Sequence, residues 1–169
     1  MKRVLVLGPA GSGKSTFAKK ISKKLKVPCI HLDSHYWRPN WVPTPKEEWP
    51  AIVQSLIEGD EWVIDGNYST TLEMRIQRAD SAIFLDIPRR VSLWRILKRR
   101  ILHRGQVRPE MPEGCYEKID WEFIKWIWGF PKRSRWRVLE ILDRYANSVK
   151  VVKIRKSRDM TIFLESIDS

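Results

Sequence analysis

The sequence holds only two cysteines, Cys29 and Cys115, in 169 residues. They form no CxxC and have no metal-ligand spacing, which excludes a disulfide framework and a cysteine-built metal centre. Both read as reduced structural thiols. Long apolar runs are also missing. Residues 4–7 are too short a run for a signal-peptide core or a membrane span, and no later run approaches spanning length. The reading is a cytoplasmic protein without a membrane partner. Repeats, low-complexity tracts and linkers are absent, so the chain is expected to be one domain over residues 1–169.

Acidic residues are in deficit, 20 against 32 Lys and Arg, for a formal net charge of +12. The imbalance is local. Eight basic residues and no acidic one lie in 89–108, and Lys132, Arg133, Arg135 and Arg137 add four, which together equal the whole excess. A field this concentrated calls for a polyanionic partner, either a nucleotide phosphate chain or a nucleic acid backbone. Glycine is scarce as well, with eight in all, yet Gly8, Gly11 and Gly13 stand almost together.

What the sequence does have is alternation. Apolar runs at "RVLVL", "PCIHLD", "EWVID", "AIFLD" and "VKVVKI" read as five buried strands, separated by segments of helical spacing. Phe17, Ala18, Ile21 and Leu25 mark the first helix. Thr44, Pro45 and Glu47 form a capping box that should open a helix reaching about Glu58. Residues 34–45, dense in Trp and Pro, read as a loop. Gly66 turns the chain toward a helix near residues 72–78, and Pro88 opens a long basic helix ending near His103. A Pro- and Gly-rich loop is expected at 104–118, helices at 119–129 and 132–146, and a last helix capped by Ser157. Strands alternating with helices predict an α/β fold with a parallel sheet covered on both faces.

Between the first strand and first helix stands Gly8-Pro9-Ala10-Gly11-Ser12-Gly13-Lys14-Ser15-Thr16, which fits G-x-x-x-x-G-K-[ST]. Amides of such a loop converge on phosphate oxygens, the lysine reaches the β and γ phosphates, and the hydroxyl holds Mg²⁺. Glycine is required where a Cβ would block the anion or forbid the backbone angles. The loop is therefore read as a cradle for ATP, with Mg²⁺ held by Ser15. A carboxylate should complete the metal shell, and two strands end in one, at Asp65 and Asp86. The apolar pattern alone favours Asp86.

The chain resembles the P-loop nucleotide kinase group, of which adenylate kinase and shikimate kinase are members. The resemblance implies a five-stranded parallel sheet in the order 2-3-1-4-5, flanked by helices, with a helical lid, here about residues 104–137. It implies a strand-three carboxylate at the metal, hence Asp65. "LDIPRRVSLWRILKRR" resembles the adenylate kinase segment leading to the lid, which would set Arg95 on the adenine and Arg99 on the transferring phosphate. Arg95 and Arg99 lie four apart on one helix face. Arg133 and Arg135 are the far-side lid arginines, Arg133 catalytic and Arg135 toward the substrate. Positive charge around the equatorial oxygens is what phosphoryl transfer needs.

The acceptor region follows strands two and three. "HLDSHYW" puts Asp33 where shikimate-kinase-like enzymes bind the acceptor hydroxyl, so Asp33 is a candidate to orient or deprotonate it. His31 and His35 read as structural. Where adenylate kinases carry F-P-R after "DG", this chain has Asn67-Tyr68-Ser69, with Arg38 or Arg75 as replacements for the missing arginine. Asn67, Tyr68 and Trp37 are the remaining substrate-side candidates, Trp37 and Trp41 being placed to stack on a base. Across nearly the whole chain, "LGPAGSGKST", "HLDSHYWRPNW", "WVIDGNY", "IFLDIPR", "RILKRR" and "WIWGFPKRSR" resemble the DNA topology modulation (FlaR-type) proteins. Two functions stay open: an ATP- and Mg²⁺-dependent phosphotransferase acting on a small nucleotide or hydroxyl metabolite, or an ATP-binding, DNA-associated protein. A polynucleotide 5′-hydroxyl kinase lies between them.

Overall fold

Residues 4–7 are apolar at every position, and strand geometry sends them alternately to opposite sides of a sheet, so both sides must be covered. The computed structural model describes residues 1–98, the helical backbone of 99–102, and residues 111–116, 125, 128–129 and 134–167. The chain runs β1 (Arg3–Leu7), α1 (Lys14–Leu25), β2 (Cys29–His31), α2 (Leu32–Tyr36), β3 (Trp37–Arg38) and β4 (Val42–Pro43). It continues through α3 (Trp49–Leu56), β5 (Trp62–Asp65), α4 (Leu72–Arg78), β6 (Ser81–Leu85) and α5 (Arg89–Leu102). Further on come α6 (Trp136–Arg144), β7 (Lys150–Ile154) and α7 (Ser157–Glu165).

Five strands form one sheet in the order β2-β5-β1-β6-β7, every neighbouring pair parallel. Counted within the sheet this is 2-3-1-4-5, as expected. Leu5, Leu7, Ile64 and Phe84 face one way, under α3, α4 and α6. Val4, Val6, Val63, Ile83 and Leu85 face the other, under Phe17 and Ile21 of α1 and Leu164 of α7. Each such side chain, wholly removed from water, stabilises the fold by about 1.5–3 kcal/mol. Because β1 leads through α1 to β2 on one side while β6 joins β1 on the other, a crevice opens beyond the carboxyl ends of the central strands.

The Trp- and Pro-rich stretch differs from the expected loop. It contains α2 and a small antiparallel hairpin, Trp37 paired with Pro43 and Arg38 with Val42. Thr44 closes this hairpin: its amide and its hydroxyl both donate to Tyr36 O, at 2.8 and 2.7 Å. It therefore does not cap α3, which starts at Trp49 with proline in its first turn. Ser157 is likewise the first residue of α7 rather than its cap. The turn at Asn40 and Trp41, both with positive φ (61° and 63°), docks on residues 113–116. Asn40 N donates to Glu113 O and Trp41 Nε1 to Tyr116 O, at 3.4 and 3.0 Å. Most of the helix expected at 119–129 and most of the 104–118 loop lie outside the described residues; residues 125, 128 and 129 are helical. No helix among the described residues is long and apolar enough to cross a membrane.

Candidate active site

The glycine loop leaves β1 and enters α1 through Gly13, which caps the helix with φ 95° and ψ 15°, a conformation that L side chains resist. The first intrahelical bond of α1 runs from Phe17 N to Gly13 O, 2.9 Å. The amides of Lys14, Ser15 and Thr16 precede it and point out of the positive end of the helix. Lys14 Nζ folds back over the loop, donating to Pro9 O at 3.0 Å. Arg95 holds the loop from behind, donating to Ser12 O at 2.9 Å and to Ser157 Oγ at 2.7 Å. Gly8, Pro9 and Ser12 are buried, whereas Ala10, Gly11 and Gly13 are partly open and Thr16 is exposed.

Asp65 ends β5 beside this loop and is almost wholly buried. Ser15 Oγ donates to its Oδ2 at 2.8 Å. Its Oδ1 meets His31 Nδ1 in a short ion pair. That bond raises the imidazole to about 10, helped by the Cys29 thiol and opposed by burial, so His31 is a cation at neutral pH. The two carboxylates left open by the sequence separate cleanly in space. Asp86 takes a bidentate pair from Arg135, 2.8 and 2.7 Å, which holds its carboxyl below the usual range against the opposing effect of burial. A hydroxyl, a nearby ammonium, the positive end of a helix and a carboxylate beside the loop form a set that fits a Mg²⁺-bound triphosphate.

Asn67 and Tyr68 follow β5. The Asn67 carboxamide accepts from Gly8 N at 2.9 Å and donates to Gly8 O at 2.7 Å, clamping the start of the loop. Tyr68 Oη donates to Asp33 Oδ1 at 2.7 Å. Burial, then the Asp33 charge, pushes the phenol far above its usual range, so Tyr68 remains a donor. Tyr68 also packs on Tyr36 and Trp49, with ring centroids 4.7 and 4.9 Å apart. Trp37 stands edge-on to Tyr36 and Trp41, at 5.1 and 5.3 Å. One aromatic wall thus adjoins Asp33.

The arginines divide. Arg95 is on the loop and Arg135 on Asp86. The side chain of Arg99 and the whole of Arg133 lie outside the described residues. Neither of the two arginines expected to replace an acceptor-phosphate arginine is directed at the acceptor region. Arg38 pairs with Glu48 at 2.6 Å, and Arg75 is fully buried on backbone carbonyls. His31 is the residue that sequence reading set aside as structural. Its partner comes from strand register: β2 and β5 are sheet neighbours, and His31 lies opposite Asp65 at their ends.

No protein-family model matches the chain. A curated relative, the uncharacterized protein YqaC of Bacillus subtilis (strain 168), is 27% identical over 108 residues, 62% of this chain. The match spans 60% of that relative's length. Among solved structures, a shikimate kinase from Aquifex aeolicus vf5 aligns with a TM-score of 0.54 at 20% identity, covering 98% of this chain and 96% of that one. A gluconokinase from Sinorhizobium meliloti 1021 gives 0.56 at 16% identity, over 98% and 89% of the two chains. A shikimate kinase from Bacteroides thetaiotaomicron gives 0.53 at 18%, over 99% and 96%. This chain therefore has the fold of those kinases, a five-stranded parallel sheet between helices with a glycine loop at the end of its central strand.

Proposed function

We propose that the chain is an ATP- and Mg²⁺-dependent phosphotransferase that phosphorylates a hydroxyl group of a small molecule. The observation that carries this reading is the Ser15–Asp65 hydrogen bond beside Lys14, at the N-terminal mouth of α1 where the glycine loop enters it. Mg²⁺ would supply charge neutralisation on the phosphates, with Ser15 as ligand and Asp65 acting on its water shell. The loop 8–16 and Lys14 would hold the phosphate chain and stabilise charge on the transferring group. Arg95, and by resemblance Arg99 and Arg133, would add positive charge around it. Asp33 would take the proton of the acceptor hydroxyl as its oxygen bonds to the γ-phosphorus and ADP leaves, with Tyr68 fixing the carboxylate. Residues 104–137 would serve as the lid that excludes water.

The acceptor side supports a hydroxyl metabolite over a nucleotide monophosphate. A carboxylate and an aromatic wall adjoin it, and Arg38 and Arg75 are both committed elsewhere. Trp37, Asn67 and Tyr68 stay substrate-side candidates. Arg135 would have to leave Asp86 to join them. The shikimate kinase and gluconokinase neighbours carry names that fit a hydroxyl acceptor.

One observation favours the DNA-associated reading implied by the topology-modulation resemblance. The outer face of α5 exposes Arg90, Trp94 and Lys98, a basic and aromatic surface that suits a phosphate backbone. One experiment separates the two: ADP release from Mg·ATP against nucleosides, nucleoside monophosphates, small polyols and acids, and DNA oligonucleotides, with Lys14→Ala as the blank. The expected outcome is Lys14-dependent release with one small hydroxyl compound, and a folded, inactive Lys14→Ala. Equal turnover in that variant would refute the kinase. Turnover or strongly salt-dependent binding with DNA alone would establish the other reading.

A further inference from the structure

Arg75 is fully buried, and its partners are backbone carbonyls rather than a carboxylate. Its Nε donates to Thr71 O at 3.2 Å, Nη1 to Gly66 O at 3.0 Å, and Nη2 to Asn67 O and Tyr68 O at 2.5 and 3.0 Å. Burying a guanidinium is costly unless its donors are satisfied. Burial pushes this one down to about 9, still charged at neutral pH. Three successive carbonyls converge on it only because the segment takes an unusual path: Gly66 has φ 134° and Tyr68 φ 30°. For tyrosine that backbone is strained and persists only under restraint. A guanidinium brings five donors on three nitrogens of a fixed plane to carbonyls spread along the segment, whereas an ammonium brings three donors from one point.

The restrained segment touches both halves of the site. Asn67 bonds Gly8 of the phosphate loop twice, and the adjacent Tyr68 bonds Asp33. We propose that Arg75 is a positioning residue that sets the phosphate loop and the acceptor carboxylate in one register by fixing the carbonyls of residues 66–68. Its importance for turnover rests on the kinase reading; its geometric role does not.

Amide hydrogen exchange of the full chain tests the proposal. Gly8 N is held by Asn67 Oδ1, and Gly66 N by Val6 O, so both amides report the clamp. In Arg75→Lys, Gly8 and Gly66 are expected to exchange at least about tenfold faster while amides of β6 change little. Unchanged Gly8 exchange, or uniform acceleration that includes β6, would overturn the proposal. If Arg75→Lys fails to fold, Arg75→Gln, which buries no charge, takes the same measurement with the same criteria. In the Lys14-dependent ADP assay the folded variant should lose at least about tenfold in kcat. A wild-type chain with no such ADP release would overturn the kinase reading and leave the exchange result intact.

Discussion

Asp65 accepts from Ser15 on one oxygen and from the His31 imidazolium on the other. Asparagine there would keep one acceptor and remove the charge that holds His31 protonated, so the imidazole would fall back toward its neutral form. Asp65→Asn is therefore expected to raise the Mg²⁺ needed for half-maximal ADP release by about 10–100-fold, the usual effect of losing an outer-shell ligand partner. A magnesium titration unchanged from wild type would transfer that role to Asp86. The phosphate loop itself is legible in the sequence because its chemistry is written in nine consecutive residues. His31 and Arg75 are not legible in the same way. His31 acquires its partner through strand register, and Arg75 its role through the path of a backbone that bends back over it. The order of residues along the chain displays neither.

Among the elements, α5 and the glycine loop are packed tightly against each other. A Cβ on Gly11, whose φ is 74°, would collide with Ser92 O and lie 2.8 Å from the Ile96 side chain. Gly11→Ala should therefore cost about 2–4 kcal/mol, from left-handed strain plus overpacking, read as a shift in the denaturant midpoint. A loss within about 0.5 kcal/mol would show that the loop and α5 move apart freely. The order of the five strands in the sheet is what the resemblance to the nucleotide kinase group implies, whereas the strands themselves follow from apolar runs long enough to carry a pattern. Helix α2 and the β3–β4 hairpin do not, since five and two residues display no period. The capping-box reading of Thr44 failed for a related reason: a local motif competed with a tertiary partner, Tyr36 O, and the partner prevailed.

For the molecule as a whole, the basic excess is organised in two directions. Arg95 turns in toward the loop, while Arg90 and Lys98 face solvent. Opposite charges at the strand ends set the acid response. Arg135 holds the Asp86 carboxyl low, with burial opposing. Burial would raise Asp80, but the amides of Lys2 and Arg3 and the Ser81 hydroxyl outweigh it. Both groups bind protons less readily folded than unfolded, so their stabilisation is complete above about pH 4–5 and is lost as pH falls through the lowered values. The denaturant midpoint should drop below about pH 4, an acid limb that Asp80→Asn should flatten, and should also fall as pH rises above about 6.5, because folded His31 keeps to about 10 a proton that the unfolded chain releases near 6.5.

The small hairpin of β3 and β4 carries a consequence for how the molecule is assembled. Two residue pairs cannot hold a hairpin in water, so its order is borrowed from the aromatic wall and from residues 113–116, some 75 positions along the chain. Those contacts close a long loop, and long closures come late. The glycine loop waits longer still, since Arg95 ties it to Ser157 at the start of α7. Both halves of the candidate site are thus finished only when distant parts of the chain are in place.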